Sequence, residues 1–154
     1  MVKYYNAMVV FEEIPDEITL AINITNCPCH CVGCHSKFLW EDIGIELTFE
    51  ELERLIREND GITCVCFMGG DANPSEINYL AEKLNGNNLK IAWYSGRDEI
   101  SGDIELKLFD YIKIGHYDER FGALNKETTN QHLYEISDGK MTDITSKFWK
   151  KRIN

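Results

Sequence analysis

Four of the six cysteines fall within eight residues, Cys27-Pro28-Cys29-His30-Cys31-Val32-Gly33-Cys34. No ordinary core element uses thiols this densely. Soft thiolates at short spacing select zinc, copper(I) or an iron–sulfur cluster. A closed structural zinc site takes four ligands, and most electron-transfer clusters also take four cysteines. Here Cys27-x3-Cys31-x2-Cys34 offers three on one loop, with Cys29 as an extra thiol and no second compact pair at finger spacing. A [4Fe–4S] cube held by three thiolates keeps one iron open to a substrate, which points to chemistry rather than scaffolding.

The elements that must hold this loop can be read around it. Ile18, Leu20, Ile22 and Ile24 alternate with Thr19, Ala21, Asn23 and Thr25, a period-2 strand that feeds directly into the cysteines. Residues 1 to 16 read as an irregular or strand-like arm. Thr48-Phe49-Glu50-Glu51 is a capping box, and Phe49, Leu52, Leu55 and Ile56 follow at helical spacing towards Asn59-Asp60-Gly61. Residues 62 to 68 form a second strand with Cys64 and Cys66 on one face, read as small core residues or else as a further metal or redox pair. Asn73, Pro74 and Glu76 open a second helix with Ile77, Leu80, Ala81 and Leu84 as its buried stripe. Residues 89 to 94 and 110 to 117 are two further strands, with a short helix over 103 to 109. Strand–helix alternation predicts a mainly parallel sheet with crossover helices. Ligand sites in such sheets lie at the C-terminal strand ends. Three segments reach that edge: the cysteine loop, Gly69-Gly70-Asp71 and Ser95-Gly96-Arg97.

At 154 residues the chain reads as a single domain, 1–154. A complete eight-unit barrel needs about 200 residues or more, so only a partial one fits. A hydrophobic share of 44% with three prolines describes a folded chain. The net charge of −10 argues against non-specific nucleic-acid binding and against an anionic membrane surface. The N-terminus has no signal-peptide h-region, and no run approaches the roughly 18 apolar residues of a membrane span. The expectation is a cytoplasmic protein, where structural disulfides are rare and clustered cysteines read as metal ligands.

With a strand before it, the cysteine spacing resembles the signature of radical S-adenosylmethionine enzymes. Asn26-Cys27-Pro28, Gly33-Cys34-His35-Ser36-Lys37 and Trp40 narrow the likeness to the activating proteins of anaerobic (class III) ribonucleoside-triphosphate reductases. Asp110-Tyr111-Ile112-Lys113, Gly122-Ala123-Leu124 and Thr129-Asn130-Gln131 are similar to the same subgroup, so the resemblance runs from about residue 17 to 150. Gly33 departs from the wider superfamily, where many members carry an aromatic residue. Pro74 is displaced relative to the usual glycine-rich motif.

The resemblance implies a partial, open (β/α) barrel of the radical-enzyme type. It implies a [4Fe–4S] cluster on Cys27, Cys31 and Cys34, with S-adenosylmethionine on the open iron. One-electron reduction, by a flavodoxin-like donor, then yields a 5′-deoxyadenosyl radical that makes a glycyl radical on the reductase large subunit. Gly69, Gly70 and Asp71 would meet the methionyl amino group. Ser95 either contacts the adenosine moiety or belongs to an ordinary turn. Lys113 either meets the cofactor carboxylate or snorkels at a sheet edge. Trp40 reads as a packing residue, or else as a shield for the cluster. Radical generation needs no base from His30, His35, His116 or His132, although His30 or His35 would complete a Cys3His zinc site. The alternatives are an activase of another glycyl-radical enzyme, a small-molecule radical enzyme, or a zinc-stabilised binding module.

Overall fold

The apolar run Cys64–Met68 is buried on both faces, as a central strand of a covered sheet must be. In the computed structural model, which describes residues 1–31, 33–34 and 36–149, it is the fourth of eight strands. These are β1 (Lys3–Val10), β2 (Thr19–Ile24), β3 (Ile45–Glu46), β4 (Cys64–Met68), β5 (Lys90–Tyr94), β6 (Tyr111–Ile114), β7 (His132–Ser137) and β8 (Lys140–Asp143). Among the described residues, two α-helices, α1 (Phe49–Arg57) and α2 (Pro74–Leu84), and three short 3₁₀ turns complete the fold.

All eight strands form one open sheet in the order β3-β1-β2-β4-β5-β6-β7-β8. The centre, β2-β4-β5-β6, is parallel. Both flanks are antiparallel: β3 and β1 on one side, β7 and β8 on the other. The sheet is therefore mixed, not mainly parallel, and among the described residues no pairing closes it into a barrel. On the first flank, the arm expected over residues 1 to 16 contains a full strand that pairs with β2. On the second, Asp138 and Gly139 take φ of 52° and 75°. Two such residues make the two-residue hairpin turn that suits the twist of paired strands.

The two faces are covered differently. Leu20, Ile22, Val65, Phe67, Ile91, Trp93 and Ile112 pack under α1 and α2. The opposite face carries Cys64, Cys66, Ala92, Tyr111 and Leu133, sealed by Ile14 and Ile144. Tyr94 donates its hydroxyl hydrogen to the Glu13 carbonyl, and Tyr111 donates to Glu17 Oε2 at 2.8 Å, so residues 13–17 are fastened across this face. Cys64 and Cys66 are thus core residues, as their spacing predicts.

The helices start as expected, with one difference each. Thr48 Oγ1 accepts from the Glu51 backbone N–H at 3.1 Å. The Glu51 carboxylate does not reach back to Thr48; it is taken by Tyr4 and Arg54. Asn73 occupies the N-cap of α2 but makes no side-chain cap bond there; its Oδ1 accepts from Ser75 Oγ at 2.9 Å. The stripe Ile77, Leu80, Ala81 and Leu84 is buried. The helix expected over 103 to 109 is a 3₁₀ turn, Leu106–Leu108. Among the described residues no helix is long and apolar enough to cross a membrane. His35 and the basic segment after Trp149 lie outside the described residues.

Candidate metal centre

Asn23, Met68, Tyr94 and Lys113 stand in register across the four parallel strands. The segments that follow them leave the sheet along one edge, and the cysteine loop is the first. Its entry is fixed by backbone bonds: Asn26 N–H to Glu41 O and Cys27 N–H to Leu39 O, both 2.9 Å. The loop then turns through His30 at φ 45° and Gly33 at φ 79° before the 3₁₀ turn Lys37–Trp40. The His30 imidazole stacks on Trp40, with centroids 4.4 Å apart and planes 12° apart. Trp40 thus packs against the loop itself.

All four loop cysteines are free and half-buried. The Ser36 backbone N–H points at Cys34 Sγ, 3.4 Å away, and the Cys34 N–H bonds Cys31 O at 3.1 Å. Cys27 and Cys29 face one another, and their thiols are shifted in opposite directions. A hydrogen bond from the Cys29 side chain, with backbone N–H groups of Cys29 and His30, holds the Cys27 thiol well below its ordinary value against the opposing effect of burial. The bond to Cys27, burial and the Asp71 charge push Cys29 up. The Cys29 sulfur thus stands between Cys27 and Asp71 Oδ2, the latter 3.8 Å away. Among the described residues, no three His, Cys, Asp or Glu side chains converge as ligands of a single ion. A cube binds each thiolate on a different iron, so its ligand sulfurs stand wider apart than those of one ion. Three free soft donors on one loop, one of them depressed, suit such a cluster in donor chemistry.

The second segment, Gly69-Gly70-Asp71, turns at positive φ, 116° and 97° for the two glycines. Gly69 is committed to the protein: its N–H bonds Tyr94 O at 3.0 Å and its carbonyl accepts from Trp93 Nε1 at 2.7 Å. A Cβ on Gly70 would lie 2.6 Å from the Ile77 side chain. Asp71 is buried. Its Oδ1 accepts from Ser95 Oγ at 2.6 Å, and its Oδ2 accepts from Gly96 N–H at 2.8 Å. Sequence reasoning picked out Asp71 and Ser95 separately; the fold brings them into direct contact.

Lys113 is buried rather than snorkelling. Its Nζ donates to the carbonyls of Ser95 at 2.8 Å and Gly115 at 3.0 Å and lies 5.6 Å from the Tyr94 ring centre. Burial pushes the amine down to about 8, with Asp71 and the loop cysteines acting in the opposite direction. The loop after β6 is tied by side chains: Asn130 Nδ2 to His116 O at 3.0 Å and Gln131 Nε2 to Gly115 O at 3.3 Å.

Two features had no signal in the sequence. Residues 116–120 face Cys29 and Cys31 across a cavity of about 390 Å³, and a Cβ on Gly33 would meet Glu119 Oε2 at 2.5 Å. His116 Nδ1 lies 2.8 Å from Asp98 Oδ1. A second cavity of about 600 Å³ opens beside Asp71, Trp93 and Arg97. Both depend on neighbouring strand ends, which no local pattern encodes.

No family model matches the chain, and no solved structure matches it. Over 79 residues, half of its length, the chain is 32% identical to Glutamate--tRNA ligase 2 of Rhizorhabdus wittichii. That stretch spans 17% of the relative's length, a partial likeness that assigns no family.

Proposed function

We propose that this protein is a radical S-adenosylmethionine activase that installs a glycyl radical on anaerobic ribonucleoside-triphosphate reductase. The observation that carries the reading is the loop of free thiols Cys27, Cys31 and Cys34 at the same sheet edge as the Gly69–Asp71 and Ser95–Arg97 turns. In this reading the three cysteines hold a [4Fe–4S] cluster, and the four parallel strands are the remnant of a partial, open (β/α) barrel. Bound together, the cluster and S-adenosylmethionine supply one-electron cleavage of a sulfonium and hydrogen abstraction from a glycine.

The protein's own groups position and insulate. Ser36 N–H steadies the Cys34 sulfur. Gly69, Gly70, Asp71, Ser95 and Lys113 surround the S-adenosylmethionine site. Asp71 and Ser95 already satisfy one another, so they shape the rim more than they grip the ligand. Lys113 spends two donors on carbonyls, which leaves one N–H and its charge for the cofactor carboxylate. Buried Trp93 closes the floor beneath Gly69 and excludes water. The partners in this reading are the reductase large subunit and a flavodoxin-like electron donor in the cytoplasm, with no nucleic acid and no membrane.

Anaerobic reconstitution tests the proposal. The protein should hold about four irons per chain and cleave S-adenosylmethionine when reduced. Loss of both properties together would end the reading.

A further inference from the structure

Cys29 is the loop thiol without a task in the activase reading. Its sulfur lies 3.8 Å from Asp71 Oδ2, the same oxygen that accepts the Gly96 N–H. It also fills the space beside Gly96: a Cβ there would stand 2.9 Å from Cys29 Sγ and 3.6 Å from Asp71 Oδ2. Gly96 lies outside the left-handed region, so the backbone would tolerate a side chain at that position. The obstacle to one is the Cys29 sulfur, which would have to shift. The next nearest atoms, Cys29 Cβ at 3.4 Å and Asp71 Oδ2 at 3.6 Å, stand at ordinary contact distance.

We propose that Cys29 is a positioning residue. Its thiol seats the cysteine loop on the Asp71–Gly96 corner, and so sets the distance between the ligand thiols and the rim formed by the β4 and β5 turns. It acts through Asp71 and Gly96 and is not a metal ligand. The seat itself is a property of the metal-free chain; its consequence for S-adenosylmethionine rests on the activase reading.

Amide hydrogen exchange on metal-free protein tests the seat. Gly96→Ala should speed exchange in residues 95–97 and in the cysteine loop about tenfold. Adding Cys29→Ala should bring little further loss, because both substitutions break the same seat. Additive effects, or no effect of Gly96→Ala, would overturn the proposal. Should Gly96→Ala fail to fold, the single variants decide. Cys29→Ser, which keeps a donor for Asp71, should stay near the wild type while Cys29→Ala loosens the corner; equal exchange in the two refutes the seat. In iron-loaded protein, Cys29→Ala should retain its iron but bind S-adenosylmethionine about tenfold more weakly. An unchanged affinity would overturn the functional half of the proposal. Wild-type protein that takes up no iron would sink the activase reading and leave the exchange result standing.

Discussion

The Lys113 ammonium lies 2.8 Å from the carbonyl oxygen of Ser95, joining the ends of two adjacent parallel strands beneath the cysteine loop. Burial holds this amine at about 8, against 10.5 in the unfolded chain. Between those values the unfolded state binds more protons, so stability rises with pH; the gain is complete above 10.5 and lost as pH falls through 8. The stability of the wild type relative to Lys113→Met should therefore climb across pH 8 to 10.5 and be flat below 7. Paired urea titrations measure it. A difference independent of pH would mean that the amine is solvated.

The Arg54 guanidinium, with help from the Tyr4 hydroxyl, holds the Glu51 carboxyl down to about 2. A depressed carboxyl contributes stability above its unfolded value of 4.5, and that contribution is lost as pH falls towards 2. Glu51→Gln should flatten the acid limb of the stability profile between those values. Acid titration followed by circular dichroism reads the difference.

Single replacement of Cys27, Cys31 or Cys34 by Ala should each drop bound iron far below the wild-type load of about four. Cys64→Ala should leave iron unchanged, since Cys64 is a core residue on the sheet face sealed by Ile14 and Ile144. Iron and sulfide analysis of protein purified without oxygen decides. If Cys29→Ala abolished the load and Cys31→Ala did not, the ligand assignment would be wrong.

Gly70 couples a left-handed backbone to a crowded floor, with φ at 97° and Ile77 2.6 Å from any Cβ. Gly70→Ala should cost about 2–4 kcal/mol, summing backbone strain and overpacking. Gly61 has a similar φ of 88° but open space around it. Gly61→Ala should cost only about 1 kcal/mol, the backbone share alone. Urea unfolding of the two variants separates the contributions.

Local chemistry made the central elements legible. The alternation around Leu20, Ile22 and Ile24, the Thr48 cap and the Ile77–Leu84 stripe each announce an element whose neighbours are close in sequence. The flanks were less legible. Asp138-Gly139 between Ile136 and Met141 is a hairpin signal, but β8 is exposed throughout and offers no apolar alternation to support it. The cysteine spacing was visible at once. The contact of Cys29 with Asp71 and Gly96 was not, because it exists only once β2, β4 and β5 lie side by side. The same holds for Lys113: its place in an apolar run predicted something unusual, but its partners are carbonyls, which carry no residue-specific mark.

The six cysteine sulfurs belong to two populations, four half-buried on the loop and two buried in the core. Cys64 and Cys66 are sealed under Ile14 and Ile144, and burial pushes Cys64 up to about 12 and Cys66 upward as well. An alkylating reagent should accordingly mark only the loop set in the intact molecule and all six once it melts. Counting labels by mass therefore gives a gauge, built into the chain, of whether a damaged loop or a damaged core underlies any variant's loss of iron.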